Sequence, residues 1–411
     1  MTRVVVVGAG LGGLRAAEGL RAAGYADEIV VVGDEPHLPY NRPPLSKEAL
    51  ADEVAHERLE FRRRASVDDV VWRLGSAVTA IDVDARTVSI GAEALGWDAL
   101  VLATGVSARR LSVPGPPPTA AAGRHVVRTL DDAAALRAAL RPGSRLVVLG
   151  AGFIGCEVAA TATGLGAQVT CAAIDPLPML RPLGPALAAE MQRRHEEHGV
   201  AFHLGVGVAA IRGDEHVTGV VLSDGTELDA DVVLEAVGSR CNVDLLDGQG
   251  FDLADGVLAD AALRPLRRGV PVDGVAVVGD IARFPHLRFA DEPLRIEHWS
   301  LPTDTGRRAG AVLAAYLSGE GYADVLASPF DPMPSFWSDQ FDIRMQSFGA
   351  PGLSDPDGVR LLEGDLAGEC IVGYHRGDDL VGVVGLGMMR ELMPYRARLG
   401  RAAWTERGGN P

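Results

Sequence analysis

The clearest pattern of hydrophobic and polar positions is an apolar run that stops at spaced glycines. Residues 4–7 are all valine, and they lead into Gly8-x-Gly10-x-x-Gly13, with Leu11 and Gly12 inside the motif. Helical spacing of apolar residues follows over 14–23, and a second apolar run occupies 29–32. Short apolar runs on either side of a helical segment predict a strand–helix–strand unit.

The spacing of these glycines is typical of a dinucleotide site. The first glycine permits the turn, the second lets a pyrophosphate approach the backbone, and the third lets helix and strand pack closely. The helix N-terminus then faces the phosphates. Asp34 and Glu35 follow the second run, about 20 residues after the glycines, where an acid accepts hydrogen bonds from a ribose. The alternative is a glycine-rich turn that binds nothing, which would need strand, helix and acid to coincide by chance.

The same pattern repeats in the middle of the chain. Residues 145–149 lead into Gly150-x-Gly152-x-x-Gly155, which contains Phe153 and Ile154, and a helical segment follows from Glu157. Two such units predict two dinucleotides, or two halves of one task. Ala173 stands where an acid would bind the ribose of NAD, and the nearest acid is Asp175. No Arg stands there for a 2′-phosphate, although Arg181 lies a few residues on, so the choice between NADH and NADPH stays open.

Other apolar runs end in small or acidic residues. Residues 99–105 close on Ala103-Thr104-Gly105, residues 231–238 end at Gly238, and residues 274–280 end in Gly279-Asp280. In an open parallel sheet the carboxyl ends of the strands face the ligand crevice. Asp280 therefore either binds polyol hydroxyls or caps the helix beyond it.

A proline-rich loop follows the first unit, with the sequence Pro39-Tyr40-Asn41-Arg42-Pro43-Pro44-Leu45-Ser46-Lys47. Proline fixes the backbone, so the loop is expected to be stiff. It either holds Arg42 and Lys47 against a cofactor or is an ordinary turn with two exposed bases. Later, Arg128 precedes a helix that Thr129 is expected to cap, and its alternative role is that of a surface base.

Composition narrows the class of protein. With 411 residues, of which 47% are hydrophobic, the chain is expected to form two or three domains. The formal net charge of -16 argues against general nucleic-acid binding. No apolar stretch is long enough to span a bilayer and no targeting segment is apparent, so we expect a cytoplasmic protein without a membrane partner.

The cysteines exclude two kinds of redox centre. Cys156, Cys171, Cys241 and Cys370 have neither Cys-x-x-Cys nor metal-site spacing. We expect each to be a small buried hydrophobic residue. The chain therefore carries neither a redox dithiol beside a flavin nor its own iron–sulfur cluster, and no metal site is predicted.

Three segments resemble one family: Pro43-Pro44-Leu45-Ser46-Lys47, Arg128-Thr129-Leu130-Asp131-Asp132 and Phe336-Trp337-Ser338-Asp339-Gln340. Together with the glycine motifs they are similar to the FAD-dependent NADH–ferredoxin reductases of bacterial oxygenase systems, the group around putidaredoxin reductase and the biphenyl dioxygenase reductase. The resemblance covers nearly the whole chain. It implies an α/β fold like that of glutathione reductase, with two Rossmann-like dinucleotide-binding domains and a small C-terminal α+β domain. The expected boundaries are 1–112 and 241–321 for the FAD-binding domain, 113–240 for the NAD(P)H-binding domain and 322–411 for the C-terminal domain.

The resemblance also implies roles for individual residues. Lys47 and Glu157 match a Lys–Glu pair beside the isoalloxazine, and Trp299 would lie near the stacked nicotinamide. The residues that match FAD-contacting positions are Gly8 to Gly13, Asp34, Lys47, Val78, Arg128, Asp280 and Trp299, and those that match the NAD-binding turn are Gly150 to Gly155. Further candidate cofactor contacts are Glu35, Arg42, Ala103, Thr104, Gly105, Gly238, Gly279, Glu297, His298, Phe336 and Trp337.

The function implied by the resemblance is electron splitting. NADH would deliver hydride to FAD, and single electrons would pass to an iron–sulfur ferredoxin that feeds a cytochrome monooxygenase or a Rieske-type oxygenase. The chain would act as a monomer or homodimer. Candidate bases for docking an acidic ferredoxin, each of which is otherwise a solvated surface Arg, are Arg288, Arg307, Arg308, Arg344, Arg390 and Arg396.

Two other functions are open to a chain of this pattern. An NAD(P)H oxidase or peroxidase of the same fold usually needs a redox cysteine in the loop after the first unit, and residues 34–50 contain none. A flavin-binding scaffold protein, like the apoptosis-inducing relatives, would be expected to carry basic runs, which are absent here. Both absences count against these alternative functions. Neither of them identifies the ferredoxin or the final substrate.

Overall fold

The computed structural model describes residues 1–290 and 292–406, which form two compact units. The first unit consists of Met1–Asn41, Glu60–Ser107 and Cys241–Ser335. The second consists of Arg42–Leu59, Ala108–Arg240 and the chain from Phe336 onward. Each unit contains one of the two glycine motifs.

The first unit is built on a five-stranded parallel sheet. Strand β1 (Arg3–Val7), helix α1 (Leu11–Ala22) and strand β2 (Glu28–Val32) form the predicted unit. The strand order across the sheet is Val275–Val277, Ala99–Leu102, β1, β2, Val71–Arg73. Residues 4–7 are at most 3% exposed, because both faces of the sheet are covered, as an all-apolar run requires.

Helix α1 packs closely on helix Leu301–Ser318 of the same unit. A Cβ at Gly310 would lie 2.5 Å from the carbonyl carbon of Gly19, and one at Gly306 would lie 2.7 Å from Cβ of Arg15. Glycine at these contacts therefore lets the two backbones approach. The second helix of this pair begins at Leu301, directly after the segment that contains Trp299.

The second unit repeats the arrangement. Strand β3 (Arg145–Leu149), helix α2 (Phe153–Gly164), strand β4 (Gln168–Ala173) and helix α3 (Leu180–Glu197) follow in order. The parallel sheet has the order Ala201–Leu204, β4, β3, Val232–Glu235, Arg124–His125. Two parallel sheets of this kind confirm the predicted α/β class with two Rossmann-like domains.

The second unit also contains one polar contact that was predicted from the sequence and one that was not. Thr129 caps helix Leu130–Ala139 as predicted, and it forms a reciprocal capping box with Asp132. Arg124 Nε lies 3.0 Å from Glu235 Oε1, and both side chains are almost fully buried. That buried ion pair was not predicted from the sequence.

Smaller sheets complete both units. One antiparallel sheet contains Val78–Asp82, Thr87–Ile90 and Glu93–Gly96, and another contains Val208–Arg212, Gly219–Leu222 and Glu227–Asp229. The short strands are Val106–Ala108, Ser239–Cys241, Val257–Leu258, Leu266–Arg267, Val270–Pro271, Ala282–Phe284 and Leu294–Arg295. The C-terminal sheet has the order Ser335–Gln340, Ile343–Gly349, Asp379–Leu386, Cys370–Arg376, Val359–Gly364.

The remaining helices are short, apart from the last. They are Glu48–Ala51, His56–Leu59, Tyr322–Ala327 and Met389–Glu406. Turns of 3-10 helix occur at Pro43–Ser46, Ala65–Val67, Ala120–Ala122, Asp244–Leu246, Gly279–Ile281 and Pro351–Leu353. Among the described residues, no helix has the length and apolar composition needed to cross a bilayer.

Residues 322–335, which we expected to open the C-terminal domain, lie in the first unit. The Tyr322 hydroxyl donates to Asp273 at 2.5 Å, and both residues belong to that unit. The C-terminal sheet itself starts at Ser335.

Three histidines are kept neutral by burial. Desolvation lowers the pKa of His125, His286 and His298 from 6.5 to about 4 because burial penalises the imidazolium. In the unfolded chain these groups bind protons below pH 6.5, so the unfolded state binds more protons between pH 6.5 and 4. The free energy of unfolding therefore falls as the pH falls through that window.

The substitution His125→Gln should remove one of these titrations. We expect the decrease in unfolding free energy between pH 6.5 and 4.5 to be smaller than in the unmodified protein by about 1–2 kcal/mol. Urea denaturation at pH 6.5, 5.5 and 4.5 measures it. His216→Gln, at an exposed position, is the control and should keep the original pH dependence. Equal pH dependence in the His125 variant and the unmodified protein would show that the assignment is wrong.

Candidate functional site

The first glycine turn is shaped to hold a phosphate. Gly8 has a φ of +115°, and a Cβ there would lie 2.1 Å from the carbonyl oxygen of Ala103. A Cβ at Gly13 would lie 2.0 Å from the carbonyl oxygen of Gly8. At Gly10, by contrast, no described atom lies within 4 Å of such a Cβ. No described side chain caps α1, so its first N–H groups face this open space.

Two acids follow β2, and they have different surroundings. Glu35 accepts a hydrogen bond from the Tyr40 hydroxyl at 2.6 Å. Asp34 is exposed, and its Oδ1 accepts from the Glu35 backbone N–H at 3.0 Å. Asp34 is therefore the better placed of the two to accept from a ribose.

The ends of two neighbouring strands in this unit are fixed by hydrogen bonds. Thr104 Oγ1 donates to the Asn242 carbonyl at 2.6 Å, which holds the Ala103-Thr104-Gly105 turn. Gly279 N–H donates to Thr305 Oγ1 at 3.0 Å. Asp280 follows in a 3-10 turn, and the helix beyond begins at Leu301 with Ser300 as its N-cap. Asp280 therefore does not cap that helix.

The segment before that helix presents an aromatic ring. Trp299 is 39% exposed, and its Nε1 donates to Asn41 Oδ1 at 3.1 Å. Its neighbour Glu297 accepts from Arg295 Nη1 at 2.6 Å. Val78 is half-buried at the start of its strand. An indole ring that is partly exposed can stack against a planar ligand.

The second glycine turn has the same shape as the first. Gly150 has a φ of +105°, and a Cβ there would lie 2.3 Å from the Ala236 carbonyl oxygen, while one at Gly155 would lie 2.2 Å from the Gly150 carbonyl oxygen. Gly152 and Gly238 have no described atom within 4 Å of such a Cβ. In the first turn of α2, the Phe153 ring lies 4.8 Å from that of Phe336. This turn also leaves room for a phosphate.

Glu157 on α2 forms a buried ion pair with Lys47 of the proline-rich loop. Lys47 Nζ is 2.7 Å from Glu157 Oε2, with the two side chains 13% and 7% exposed. Ser46 Oγ donates to the same oxygen at 2.5 Å, and Ser338 Oγ donates to Oε1 at 2.7 Å. Both carboxylate oxygens are thus satisfied, as a buried charge requires.

The network continues beyond Ser338. Gln340 Nε2 donates to Ser338 Oγ at 2.9 Å, and Gln340 Oε1 lies 2.7 Å from His195 Nε2 on α3. Because Oε1 can only accept, His195 carries its proton on Nε2. Burial lowers the pKa of His195 and keeps the ring neutral. A continuous line of hydrogen bonds therefore joins the Lys47 loop to α3 through the C-terminal sheet.

Comparison with known proteins identifies the family. The model described as pyridine nucleotide-disulphide oxidoreductase matches residues 2–306, and a reductase C-terminal model matches residues 335–407. The chain belongs to the pyridine nucleotide-disulphide oxidoreductase family. The family and the fold predicted from the sequence are thereby confirmed.

Individual relatives agree along most of their length. Rhodocoxin reductase from Rhodococcus erythropolis is 34% identical over 399 residues, which cover 96% of this chain and 88% of that protein. The ferredoxin–NAD(+) reductase component of the anthranilate 1,2-dioxygenase system from Burkholderia cepacia is 37% identical, covering 87% and 84%. The reductase in a covalent putidaredoxin reductase–putidaredoxin complex superposes with a TM-score of 0.85 at 32% identity, covering 97% and 93%.

The structure brings together some sequence-predicted residues of this oxidoreductase and adds others. Lys47 pairs with Glu157, and Arg42 Nη1 donates to the Arg128 carbonyl at 2.6 Å. No role was predicted from the sequence for Ser46, Ser338, Gln340 or His195. The first three lie inside segments that carry the family resemblance, which was the available signal. Nothing in the sequence pointed to His195.

Two candidate docking bases are internal. Arg308 is 9% exposed and donates to Ser328, and burial lowers its pKa. Arg288 pairs with the buried Asp331 at 2.6 Å. The expectation that these two could belong to a docking surface is therefore wrong, because their guanidinium groups serve internal contacts. The other candidates, Arg307, Arg344, Arg390 and Arg396, are exposed.

The four cysteines are free. Cys156, Cys171 and Cys370 are buried as expected, whereas Cys241 is only half-buried, so the expectation of burial is wrong for that residue. Burial raises the pKa of Cys171 to about 12 and also raises that of Cys156. These thiols stay protonated at neutral pH and are poor nucleophiles.

The substitution Ser338→Ala should weaken the support of Glu157. It removes a hydrogen bond to a buried charge, so we expect a loss of about 1.5–3 kcal/mol in the free energy of unfolding, measured by urea denaturation. Ser347→Ala is a matched control, since Ser347 is fully buried in the same sheet and no described group pairs with its hydroxyl. That control should change stability little. If both variants lost the same free energy of unfolding, the Ser338–Glu157 hydrogen bond would contribute no more to stability than an unpaired buried hydroxyl.

Proposed function

We propose that this chain is an FAD-dependent reductase that takes hydride from NADH and passes single electrons to an iron–sulfur ferredoxin. The ferredoxin would feed a cytochrome monooxygenase or a Rieske-type oxygenase in the cytoplasm. The observation that carries the proposal is the pair of phosphate-shaped glycine turns, at Gly8–Gly13 and Gly150–Gly155, in a chain whose cysteines are all free. The printed names of the relatives, which are reductases of ferredoxins, supply the acceptor class.

The first unit fits FAD. Gly10 leaves open space before the N-terminus of α1 for a pyrophosphate, and the exposed Asp34 carboxylate is available to a ribose. Small residues at Ala103-Thr104-Gly105 and Gly279 leave room at the strand ends. When bound, the isoalloxazine supplies the conversion between two-electron and one-electron transfer.

The second unit fits a nicotinamide dinucleotide. Gly152 leaves space for the pyrophosphate at the N-terminus of α2. We assign Lys47 with Glu157 of this unit to the electrostatics of the reaction, and Trp299 of the first unit to stacking against a planar ring. A fixed ammonium favours an anionic reduced cofactor, and Glu157 holds that ammonium in one position.

The identity of the cation supports this assignment. Lys47 is the only lysine among the 39 lysine and arginine residues of the chain. An ammonium concentrates its charge on one small group, whereas a guanidinium is planar and spreads it. The chain uses arginine everywhere else, including at every exposed candidate docking base.

Anaerobic stopped-flow spectroscopy tests the proposed function. The FAD-loaded protein is mixed with NADH, and flavin bleaching is followed. A [2Fe–2S] ferredoxin with cytochrome c as the final acceptor is then added. We expect rapid bleaching and cytochrome c reduction that depends on the ferredoxin. Bleaching with hydrogen peroxide formation in air and no ferredoxin dependence would indicate an oxidase. Bound flavin that NADH does not reduce would indicate a scaffold protein.

The substitution Lys47→Met tests the role of the ammonium. Loss of one fixed positive charge should lower the flavin midpoint potential by about 30 mV or more and slow bleaching by NADH. Lys47→Arg should restore the potential in part, since it restores the charge without its compact shape. Arg137→Gln, which breaks a surface pair with Glu53, is the control. An unchanged potential in Lys47→Met would remove Lys47 from the reaction.

A further inference from the structure

The carboxyl end of β4 lacks the acid that its counterpart carries. Gly8 N–H donates to the Val32 carbonyl at 2.8 Å, and Gly150 N–H donates to the Ala172 carbonyl at 2.8 Å. When these equivalent hydrogen bonds are matched, Ala173 corresponds to Gly33, Ile174 to Asp34 and Asp175 to Glu35. The ribose-facing Asp34 of the first unit thus has an isoleucine as its equivalent, and Ile174 is 69% exposed.

The carboxylate nearest to Ala173 along the chain is already paired. Asp175 Oδ1 lies 3.3 Å from Arg181 Nη2, and the two side chains are 38% and 76% exposed. Exposed ion pairs of this kind contribute roughly 0–1 kcal/mol, so the guanidinium can turn to another anion at little cost.

Arg181 is held close to the glycine turn by the backbone. Met179 N–H donates to the Ala151 carbonyl at 2.8 Å, and Ala151 lies inside the Gly150–Gly155 motif. Helix α3 starts immediately afterwards, at Leu180, so Arg181 lies in its first turn. Val206 N–H donates to the Ala173 carbonyl at 3.0 Å, which fixes the backbone at the end of β4.

The charges at the rim formed by Ala173, Ile174, Asp175 and Arg181 bear on the choice between NADH and NADPH. An acid at the end of the second strand accepts the ribose 2′-hydroxyl and repels a 2′-phosphate, whereas an arginine nearby accommodates the phosphate. Here the two positions before Asp175 carry no charge, and the cation Arg181 neutralises Asp175. The repulsive element that makes a site specific for NADH is therefore missing.

We propose that this rim accepts a 2′-phosphorylated dinucleotide, so that NADPH serves beside NADH as hydride donor. Arg181 binds the 2′-phosphate, and the small side chain of Ala173 permits it. The role as hydride donor rests on the proposed reductase function. The recognition of the 2′-phosphate does not, because it requires binding alone.

Calorimetric titration of the FAD-loaded full chain with 2′,5′-ADP and with 5′-AMP tests the recognition. The two nucleotides differ by the 2′-phosphate. We expect their dissociation constants to lie within about tenfold of each other. Arg181→Gln should weaken 2′,5′-ADP by about tenfold or more and leave 5′-AMP nearly unchanged, which is the scale of one charged hydrogen bond. Ile174→Asp, which places a carboxylate at the position equivalent to Asp34, should also weaken 2′,5′-ADP by about tenfold, through repulsion.

Arg193→Gln is the matched control. Arg193 lies on the same helix and pairs with Glu190 and Glu197 at the surface, so both nucleotides should bind that variant as before. The proposal is overturned if 2′,5′-ADP binds the unmodified protein about 100-fold more weakly than 5′-AMP. It is equally overturned if Arg181→Gln weakens both nucleotides alike, or if neither binds.

Flavin bleaching by NADH and by NADPH separates this inference from the proposed function. If NADH and NADPH bleach the flavin at rates within about tenfold of each other, both the inference and the proposed function are supported. Selective 2′,5′-ADP binding with bleaching by neither donor leaves the recognition standing and removes the reductase function. Bleaching by NADH alone removes NADPH as a donor and leaves the reductase function intact.

Discussion

The buried carboxylate of Glu157 is the constraint on which the second unit depends. A charge with 7% of its side chain exposed must be compensated, and two separate segments supply the three partners. Lys47 and Ser46 come from the proline-rich loop, and Ser338 comes from the first strand of the C-terminal sheet. Because each partner is needed, the loop, helix α2 and the C-terminal sheet of this unit are tied to one point. The stiff loop is therefore a polar scaffold and not a surface turn.

The Lys47–Glu157 pair connects the stability of the second unit with the proposed reaction. In the proposed reaction the Lys47 ammonium, which Glu157 holds in one position, would need little reorganisation when charge develops nearby. Behind Glu157, Gln340 and a neutral His195 complete the hydrogen bonds, and no further charge is buried along this line. The contrast with the arginines is informative, since Arg288 and Arg308 serve internal contacts while Arg390 and Arg396 face solvent.

The two glycine turns show how one backbone solution serves two ligands. In both units a positive φ and a close carbonyl approach admit only glycine, and the second glycine of each motif faces open space. The difference lies beyond the turn. Asp34 is exposed at the end of β2, whereas Ile174 and the paired Asp175 stand at the end of β4. The backbone geometry of both turns therefore suits a phosphate, and the two units differ in a few side chains at the strand ends.

The sequence by itself determined the local elements and the family. Runs of valine, spaced glycines and the Thr129 cap act over a few residues, so their patterns can be read directly, and strands β1, β2, β3 and β4 lie where they were predicted. Sequence segments also indicated Lys47 and Glu157 as a pair. Only the tertiary structure decided the contacts made across long separations. Ser338 contacts Glu157 across a sequence separation of 181 residues, and Gln340 contacts His195 across 145. Arg308 is buried, although the sequence around it gave no sign that it differs from a surface arginine. Such contacts depend on how sheets and helices pack, and polar residues carry no periodic signal that would predict their partners.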